Sequence, residues 1–420
     1  MKRLSLLTAT GLALATAATM ALTGCSGSPE ASPSGSTPIT YWLWQDNATD
    51  TTWQTLADEF NSSQDKVKVT LEVIPLDSYQ SQLTTAIMNG TAPDAARCKD
   101  WWLGQLAPQG ALADLTSRID GWDGKADIID ALWDTGRLPG KQEIYMLPHQ
   151  YTTLYLYYRK DLFAAANLQA PATQADFAAD LPKLTHDKQY AFDVRGGGGG
   201  QDQWLAYMFA GGASVVDTSG QVVLDDSTAV SVNQSYLDIV EKYKAAPPGS
   251  ITAAFADVQT NFATGVTAMM IHHPGSLAQM RETFGDKLGV IPIPTADGNP
   301  GATLGAMSGN VVFSASQKQD AAWAWISWLD TKDPMSKIST SPQGQLPVLT
   351  SVLADPHWSS DEGLTVAVDL MSRAKTWPAL PGVAELSGKE WNPTIQSAFQ
   401  GKLTSEQALK QMADVLRQGS

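Results

Sequence analysis

The sequence predicts an α/β fold built on a mainly parallel sheet, and three observations carry that prediction. Residues 39–90 read strand, helix, strand, helix, each with its own apolar period. Residues 266–271 are an unbroken apolar run, suited to a strand covered on both faces. Hydrophobic residues make up 43% of the chain and charged ones 17%, enough for a large core and too little charge for a disordered chain or a coiled coil. At roughly 150 residues per domain, the 420 residues leave room for two or three domains or lobes.

The elements follow in order. Residues 39–44 alternate around Tyr41 and Leu43 as a strand. Asp50 is placed to cap a helix whose apolar face is Trp53, Leu56, Ala57 and Phe60. Residues 67–74 form a second strand, with Val67, Val69, Leu71 and Val73 on one face and Pro75 ending it. Tyr79, Leu83, Ala86 and Ile87 mark a helix that stops near Gly90. Residues 154–158 are a short aromatic strand, and residues 228–244 a helix through Val232, Tyr236, Ile239 and Tyr243. Residues 319–329 form a helix that turns Ala322, Trp325, Ile326 and Leu329 inward. Thr404, with Gln407 three residues on, makes a capping box for a last helix carrying Leu409, Met412 and Leu416. No repeat of fixed period is present.

Charge and cysteine usage narrow the functional classes. The chain has 43 acidic and 28 basic residues, a net charge of −15, which argues against nucleic acid because phosphate binding needs a cationic surface. Lys2 and Arg3 precede an apolar stretch over residues 4–21, the pattern of an export signal. A membrane-spanning helix competes with that reading, because the stretch is almost long enough. Leu22-Thr23-Gly24-Cys25 then resembles the lipobox of bacterial lipoproteins, which implies cleavage before Cys25 and a lipid on its sulfur. Losing Lys2 and Arg3 takes the charge from −15 to −17. Cys98 is the other cysteine, so with Cys25 lipidated no disulfide is expected, and metal sites built from several cysteines are excluded. Residues 26–38, rich in Ser, Gly and Pro, read as a tether with a reach of about 20 Å. The Ala-rich signal and Ser/Pro linker lean towards a Gram-positive organism.

Several motifs, in order, resemble the extracellular solute-binding proteins of carbohydrate ABC transporters, the family that includes maltose-binding protein. The first block is Tyr79, Met88-Asn89-Gly90, Pro93-Asp94, Trp101-Trp102 and Gly110-Ala111-Leu112-Ala113-Asp114-Leu115. The second is Gly140-Lys141, Tyr145-Met146-Leu147-Pro148 and Tyr158-Arg159-Lys160-Asp161-Leu162-Phe163, where Arg159 replaces the family's Asn. Pro171-Ala172-Thr173-Gln174-Ala175-Asp176-Phe177 follows without the usual Trp. Phe262-Ala263-Thr264-Gly265 leads into Thr267-Ala268-Met269, then Gly289-Val290 and Pro292, and residues 401–408 complete the set. The resemblance covers almost the whole chain after Cys25. It implies a two-lobed, periplasmic-binding-protein-like fold of type II, with a ligand cleft between lobes joined by a hinge. On that basis residues 1–24 are the signal peptide and 25–37 the tether. One lobe would comprise 38–112 and 308–354, the other 113–307 and 355–420, with chain crossings near Leu112, Gly305–Ser308 and Asp355.

A sugar ligand, which the resemblance implies, offers apolar C–H faces and many hydroxyls, so its site needs flat aromatic rings and fixed polar groups. Loops at the carboxyl ends of strands supply them. That rule selects Trp44 and Asp46 after the first strand, then Asp100, Trp101 and Trp102 after the Pro-Asp strand. Adjacent aromatics cannot share one strand face, so one of Trp101 and Trp102 is expected on ligand. Gln150 and Tyr151 follow Leu147-Pro148. The five glycines 196–200 lack the Lys-Ser/Thr of a P-loop and read as a mobile loop. Arg195, beside them, either meets ligand or is solvated; Trp204 follows, and Gly212 permits close backbone approach. His272 and His273 end the apolar strand; their side chains should diverge, a poor metal pair, leaving one to meet a hydroxyl. Trp377 and Trp391 lie where the family supplies stacking residues. Trp53, Trp323, Trp325 and Trp328 are assigned to helices away from the strand ends.

The resemblance implies a monomeric binding protein without catalysis, cofactor or metal, anchored outside the membrane through its lipid alone, with permease subunits as partners. Two other classes stay open. One is the same fold holding a polyamine, peptide or phosphate ester, since cations also stack on aromatics. The other is a secreted glycoside hydrolase, which needs two carboxylates across the bond.

Overall fold

The computed structural model describes residues 35–45, 50–341 and 344–418. The export segment, Cys25, the tether to residue 34 and Asp46 lie outside the described residues. In chain order the strands are β1 (Thr37–Leu43), β2 (Val67–Val73), β3 (Ala95–Lys99), β4 (Leu147–Thr153) and β5 (Tyr155–Arg159). They continue as β6 (Tyr190–Phe192), β7 (Thr267–His272), β8 (Leu288–Ile291), β9 (Gly305–Val312) and β10 (Leu346–Pro347). They form two sheets, ordered β10-β4-β9-β3-β1-β2 and β6-β7-β5-β8.

Both sheets are mixed, which corrects the expectation of a mainly parallel one. β1 runs parallel to β2 and β3, and β6 to β7. β9, however, lies antiparallel between β3 and β4, and β5 antiparallel to β7 and β8. β9 returns to the first sheet after the chain has built the second, and strand–helix alternation carries no signal for the direction of such a return.

The first lobe forms where alternation meets helical period. Ile39, Tyr41 and Leu43 of β1 point into the core. The helix Thr52–Ser63 buries Trp53, Leu56, Ala57 and Phe60, and Trp53 stacks on Tyr41 at 5.9 Å. Asp50 accepts from the Thr52 amide at 2.9 Å and so starts that helix, although Thr51 occupies the cap position. The helix Gln319–Leu329 sets Trp325 edge-on to Tyr41 and Phe60, at 5.8 and 5.2 Å. Each such aromatic pair adds about 0.5–1.5 kcal/mol beyond burial. β2 is an edge strand, and its apolar face opens to solvent by Val73, half exposed at 50%. Cys98, on β3, is buried with a free thiol.

The second lobe surrounds β7, all six of whose residues are buried, as its unbroken apolar run requires. Thr173 and Asp176 form a reciprocal capping box that starts the helix Gln174–Leu184. Thr404 and Gln407 do the same for Ser405–Gln418, with bonds of 3.0 and 3.2 Å. Among the described residues no helix is long and apolar enough to cross a membrane.

The chain moves between sheets at places the sequence places differently. β4 belongs to the first sheet and β5 to the second, so the first crossing falls at Leu154, not near Leu112. The return crossing runs from β8 to β9 and reaches the first sheet at Gly305. The Thr303 hydroxyl there donates to the Leu154 carbonyl at 2.6 Å. A third pass leaves the first lobe after Thr350–Leu353 and reaches the second by Asp361, which pairs with Arg281, and the chain then runs back past the waist at Lys375. The Gly305 amide donates to the Lys375 carbonyl at 2.8 Å, and the Lys375 amide to the Thr303 carbonyl at 2.9 Å. The Thr303–Gly305 segment is thus hydrogen-bonded both to Leu154 and to Lys375.

Candidate functional site

A cavity of about 290 Å³ opens between the two sheets beside these crossings. The first lobe contributes Trp44 after β1, Lys99 at the end of β3, Thr152 on β4 and Gln345 before β10. The second contributes Arg195, Asp202, Phe255, His272 and His273. Strand ends and strand-to-helix loops therefore meet here from both sides, as the fold geometry requires of a ligand cleft.

The first-lobe wall is an aromatic and cationic layer. Trp44 lies under the Arg97 guanidinium, 4.2 Å from its ring, and its carbonyl accepts from Arg97 Nη1 at 3.1 Å. Arg97 Nη2 donates to Gln150 Oε1 at 3.2 Å, so Gln150, itself buried, sets the layer behind the wall. Two residues on from Arg97, on the same strand face, the Lys99 ammonium stands 5.4 Å from the Trp44 ring and 5.0 Å from the Trp101 ring.

The second-lobe wall depends on the glycine run, which is packed and anchored instead of the mobile loop expected. The Gly196 and Gly197 amides donate to the Ser250 and Ala253 carbonyls at 3.1 and 2.9 Å. Gly199 has φ +73°, and a Cβ at Gly200 would lie 1.8 Å from the Arg195 carbonyl oxygen. Only glycine fits that approach. The run delivers the chain into the helix Gly200–Ala210 with Gly198 and Gly199 on the cavity. Arg195 is held by its amide, which donates to Gln203 Oε1 at 2.8 Å. The residue as a whole is 6% exposed, and its guanidinium lies 5.5 Å over Phe255. Burial pulls its pKa down, and the nearby Asp202 carboxylate works against that.

His272 and His273 do not diverge. β7 ends at His272 and the chain turns into Pro274–Ser276, so the two rings stack at 4.9 Å and 28°. Phe255 packs against both, at 4.2 and 5.1 Å. The Ser276 hydroxyl and His272 Nδ1 share a 2.6 Å hydrogen bond, while Nε2 is buried without a partner. Burial holds the His272 pKa well below its ordinary value, so the ring is neutral. His273 Nδ1 accepts from the Gly275 amide at 2.9 Å. Gln345 Oε1 is a further buried acceptor without a partner.

The other sequence candidates lie elsewhere. Asp100 and Trp377 line a wider neighbouring depression of about 530 Å³, bordered by the turn 138–142. Burial pushes the Asp100 carboxyl up to about 7, with Lys99 and the backbone amides of Met307 and Trp101 opposing. Trp377 links the two spaces, since its Nε1 donates to Asp202 Oδ1 at 3.4 Å. Trp101 is buried beside Lys99. Trp102 stacks on Tyr79 at 5.6 Å and meets Trp44 edge-on at 5.7 Å, as core behind the wall. Tyr151 is buried on β4 with its hydroxyl against Gly305. Trp204 and Trp391 pack together at 6.0 Å inside the second lobe, where Trp204 Nε1 donates to Asn233 Oδ1 at 2.8 Å. They are core because both lie on helices facing inward, not at strand ends. Gly212 has φ +92° and faces open space at a helix end. Sequence reasoning missed Lys99, Asp202, Phe255 and Gln345. Lys99 ends its strand and satisfies the rule that selected Asp100; Gln345 precedes a two-residue strand that has no readable period.

Two sheet-centred lobes with an aromatic, polar cleft at their strand ends define a binding protein of the two-lobed kind. The chain matches the bacterial extracellular solute-binding protein family over residues 45–335, and it belongs to that family. A binding protein of Brucella abortus is 27% identical over 362 residues, 84% of this chain and 86% of its own. The maltodextrin-binding protein of Bacillus subtilis is 26% identical, with 83% of this chain and 80% of its own covered. An ABC transporter solute-binding protein of Thermotoga lettingae, bound to α-D-tagatose, superposes with a TM-score of 0.81 at 23% identity. That match covers 91% of this chain and 99% of the other, and the two share a fold. The family consists of extracellular substrate-binding proteins, not enzymes.

Proposed function

We propose that the protein captures a sugar or oligosaccharide in this cleft and delivers it to an ABC-type permease, by closure of the two lobes and without catalysis. The observation that supports this most is the pairing of the Trp44 wall with unpartnered polar groups, Arg195, His272 Nε2 and Gln345 Oε1, drawn from both lobes. A sugar's C–H face and hydroxyls match such a set. Groups from both lobes on one ligand favour the closed form, and the hydrogen-bonded segments at Leu154, Thr303–Gly305 and Lys375 lie at the hinge. The sugar cargoes of the Bacillus and Thermotoga proteins point the same way.

A polyamine would meet Lys99 and Arg195, two cations, in the cleft. A hydrolase needs two carboxylates across the bond, and among the described lining residues Asp202 is the one carboxylate. We further propose that Cys25 carries a lipid that holds the monomer at the outer face of the cell membrane. Mass spectrometry of the exported protein tests this: Cys25→Ala should be released unlipidated.

A thermal-shift screen against mono- and oligosaccharides, polyamines and peptides tests the cargo. A ligand at a hundred times its Kd adds about 2.7 kcal/mol of stability. A response confined to sugars, returned unchanged, supports the proposal. A response confined to amines or peptides overturns the sugar assignment, and turnover overturns the absence of catalysis.

A further inference from the structure

Arg195 differs from every other arginine among the described residues. Arg118, Arg137, Arg159, Arg281, Arg373 and Arg417 each pair with a carboxylate. Arg97 is bonded to Trp44 and Gln150. The Arg195 guanidinium makes no hydrogen bond and no ion pair within the described residues, although the residue is 6% exposed and its Nε is buried. Asp202, the carboxylate closest in its electrostatic effect, accepts from Trp377 instead. A buried charge without a counter-ion costs several kcal/mol, and this acidic chain has carboxylates to spare.

Basic groups also approach from both walls. Lys99 faces the cavity from the first lobe. Gly198 and Gly199, at the positive end of the eleven-residue helix Gly200–Ala210, face it from the second. Asp202 in the first turn of that helix offsets part of this potential. His272 offers a neutral ring and adds no repulsion to an anion.

We infer that the cargo is a sugar bearing one acidic substituent, a carboxylate or a phosphate or sulfate ester, held between Arg195 of the second lobe and Lys99 of the first. This rests on the sugar reading above and specifies its chemical class. A guanidinium grips an oxyanion through two parallel N–H donors, which suits Arg195 to the fixed half of the site. Lys99, a flexible point charge, suits the wall that closes on the ligand. The cavity volume, at the low end of the ligand-pocket range of roughly 300–1,000 Å³, suits a mono- or disaccharide.

Calorimetric titration of the full chain decides the matter, with D-glucuronate, D-galacturonate, digalacturonate and glucose 6-phosphate as acidic probes. D-glucose, D-galactose and maltose serve as neutral probes. An acidic sugar should bind at least about thirtyfold more tightly than its neutral counterpart. Arg195→Gln and, separately, Lys99→Gln should each erase most of that preference. Arg195→Gln should also leave the melting temperature of the unliganded protein unchanged or raised, whereas loss of a merely structural arginine would lower it. Uronates binding alone would identify a carboxylate, and glucose 6-phosphate binding alone a phosphate ester. Neutral sugars binding as tightly as acidic ones would overturn the inference and leave the sugar reading standing. Silence to every sugar, acidic and neutral, would overturn both. An acidic preference that survives both substitutions would overturn the assignment to these residues.

Discussion

Asp100 and Trp204 show how burial divides side chains of similar sequence promise. The Asp100 carboxyl is pushed up to about 7 by burial, against an ordinary value of 3.8. Folding therefore favours its protonated form. The stability it contributes is fully present below the ordinary value and is lost as pH rises through about 7. Asp100→Asn should flatten that decline and stabilise the protein at pH 8 by on the order of 2 kcal/mol, read from urea denaturation at pH 5 and pH 8. Trp204 presents the converse case. Its Nε1 satisfies Asn233, whose amide in turn donates to Ser405 at 2.9 Å. Trp204→Phe leaves a buried acceptor unpaired and should cost about 1–3 kcal/mol without altering ligand affinity. A loss of affinity at unchanged stability would instead place Trp204 at the ligand.

Elements with a local cause were the most legible. The helix over residues 319–329 is read to the residue, because its inward stripe of Ala322, Trp325, Ile326 and Leu329 is a local pattern. The capping box at Thr404 is equally local; Thr404→Ala should cost about 1 kcal/mol in a thermal melt. The glycine run was misread because its cause is distant. Residues 250–253, some fifty positions on, press against it and forbid a Cβ. Gly200→Ala must displace either the helix start or the Arg195 carbonyl, and should destabilise the fold by about 1–3 kcal/mol. Affinity should fall with it, because the same carbonyl belongs to the residue that carries the guanidinium. An unaffected affinity would show that Arg195 is positioned independently of the loop. The His272–His273 stack was missed for a related reason: the strand stops one residue earlier than its polar end implies. In the site, the strand-end rule found Trp44, Arg195 and both histidines at the cavity. It could not separate a wall residue such as Trp44 from a supporting one such as Trp102, since both follow strands and differ only in what packs above them.

The two-sheet architecture has consequences for the molecule as a unit. The proposed closure predicts a smaller radius of gyration by X-ray scattering when a saturating sugar is added; an unchanged value would mean that capture occurs without lobe movement. Thr303→Val, which removes the donor to the Leu154 carbonyl, should lower stability by about 1 kcal/mol. It should change affinity only through the balance of open and closed forms, so the free protein's scattering should shift in step with Kd. The global topology was the least legible level, because the antiparallel insertion of β9 joins segments some two hundred residues apart.

The waist at Leu154, Thr303–Gly305 and Lys375 also gives the molecule redundancy. Three passes of backbone join the halves, and the waist is braced by the Thr303, Gly305 and Lys375 hydrogen bonds. Severing one, for instance by a protease on the segment between β8 and β9, leaves two covalent bridges in place. The nicked protein would still open and shut as a single article. In a protein that works outside the cell, exposed to whatever enzymes its surroundings hold, that confers a tolerance to damage that a single-stranded linker could not provide.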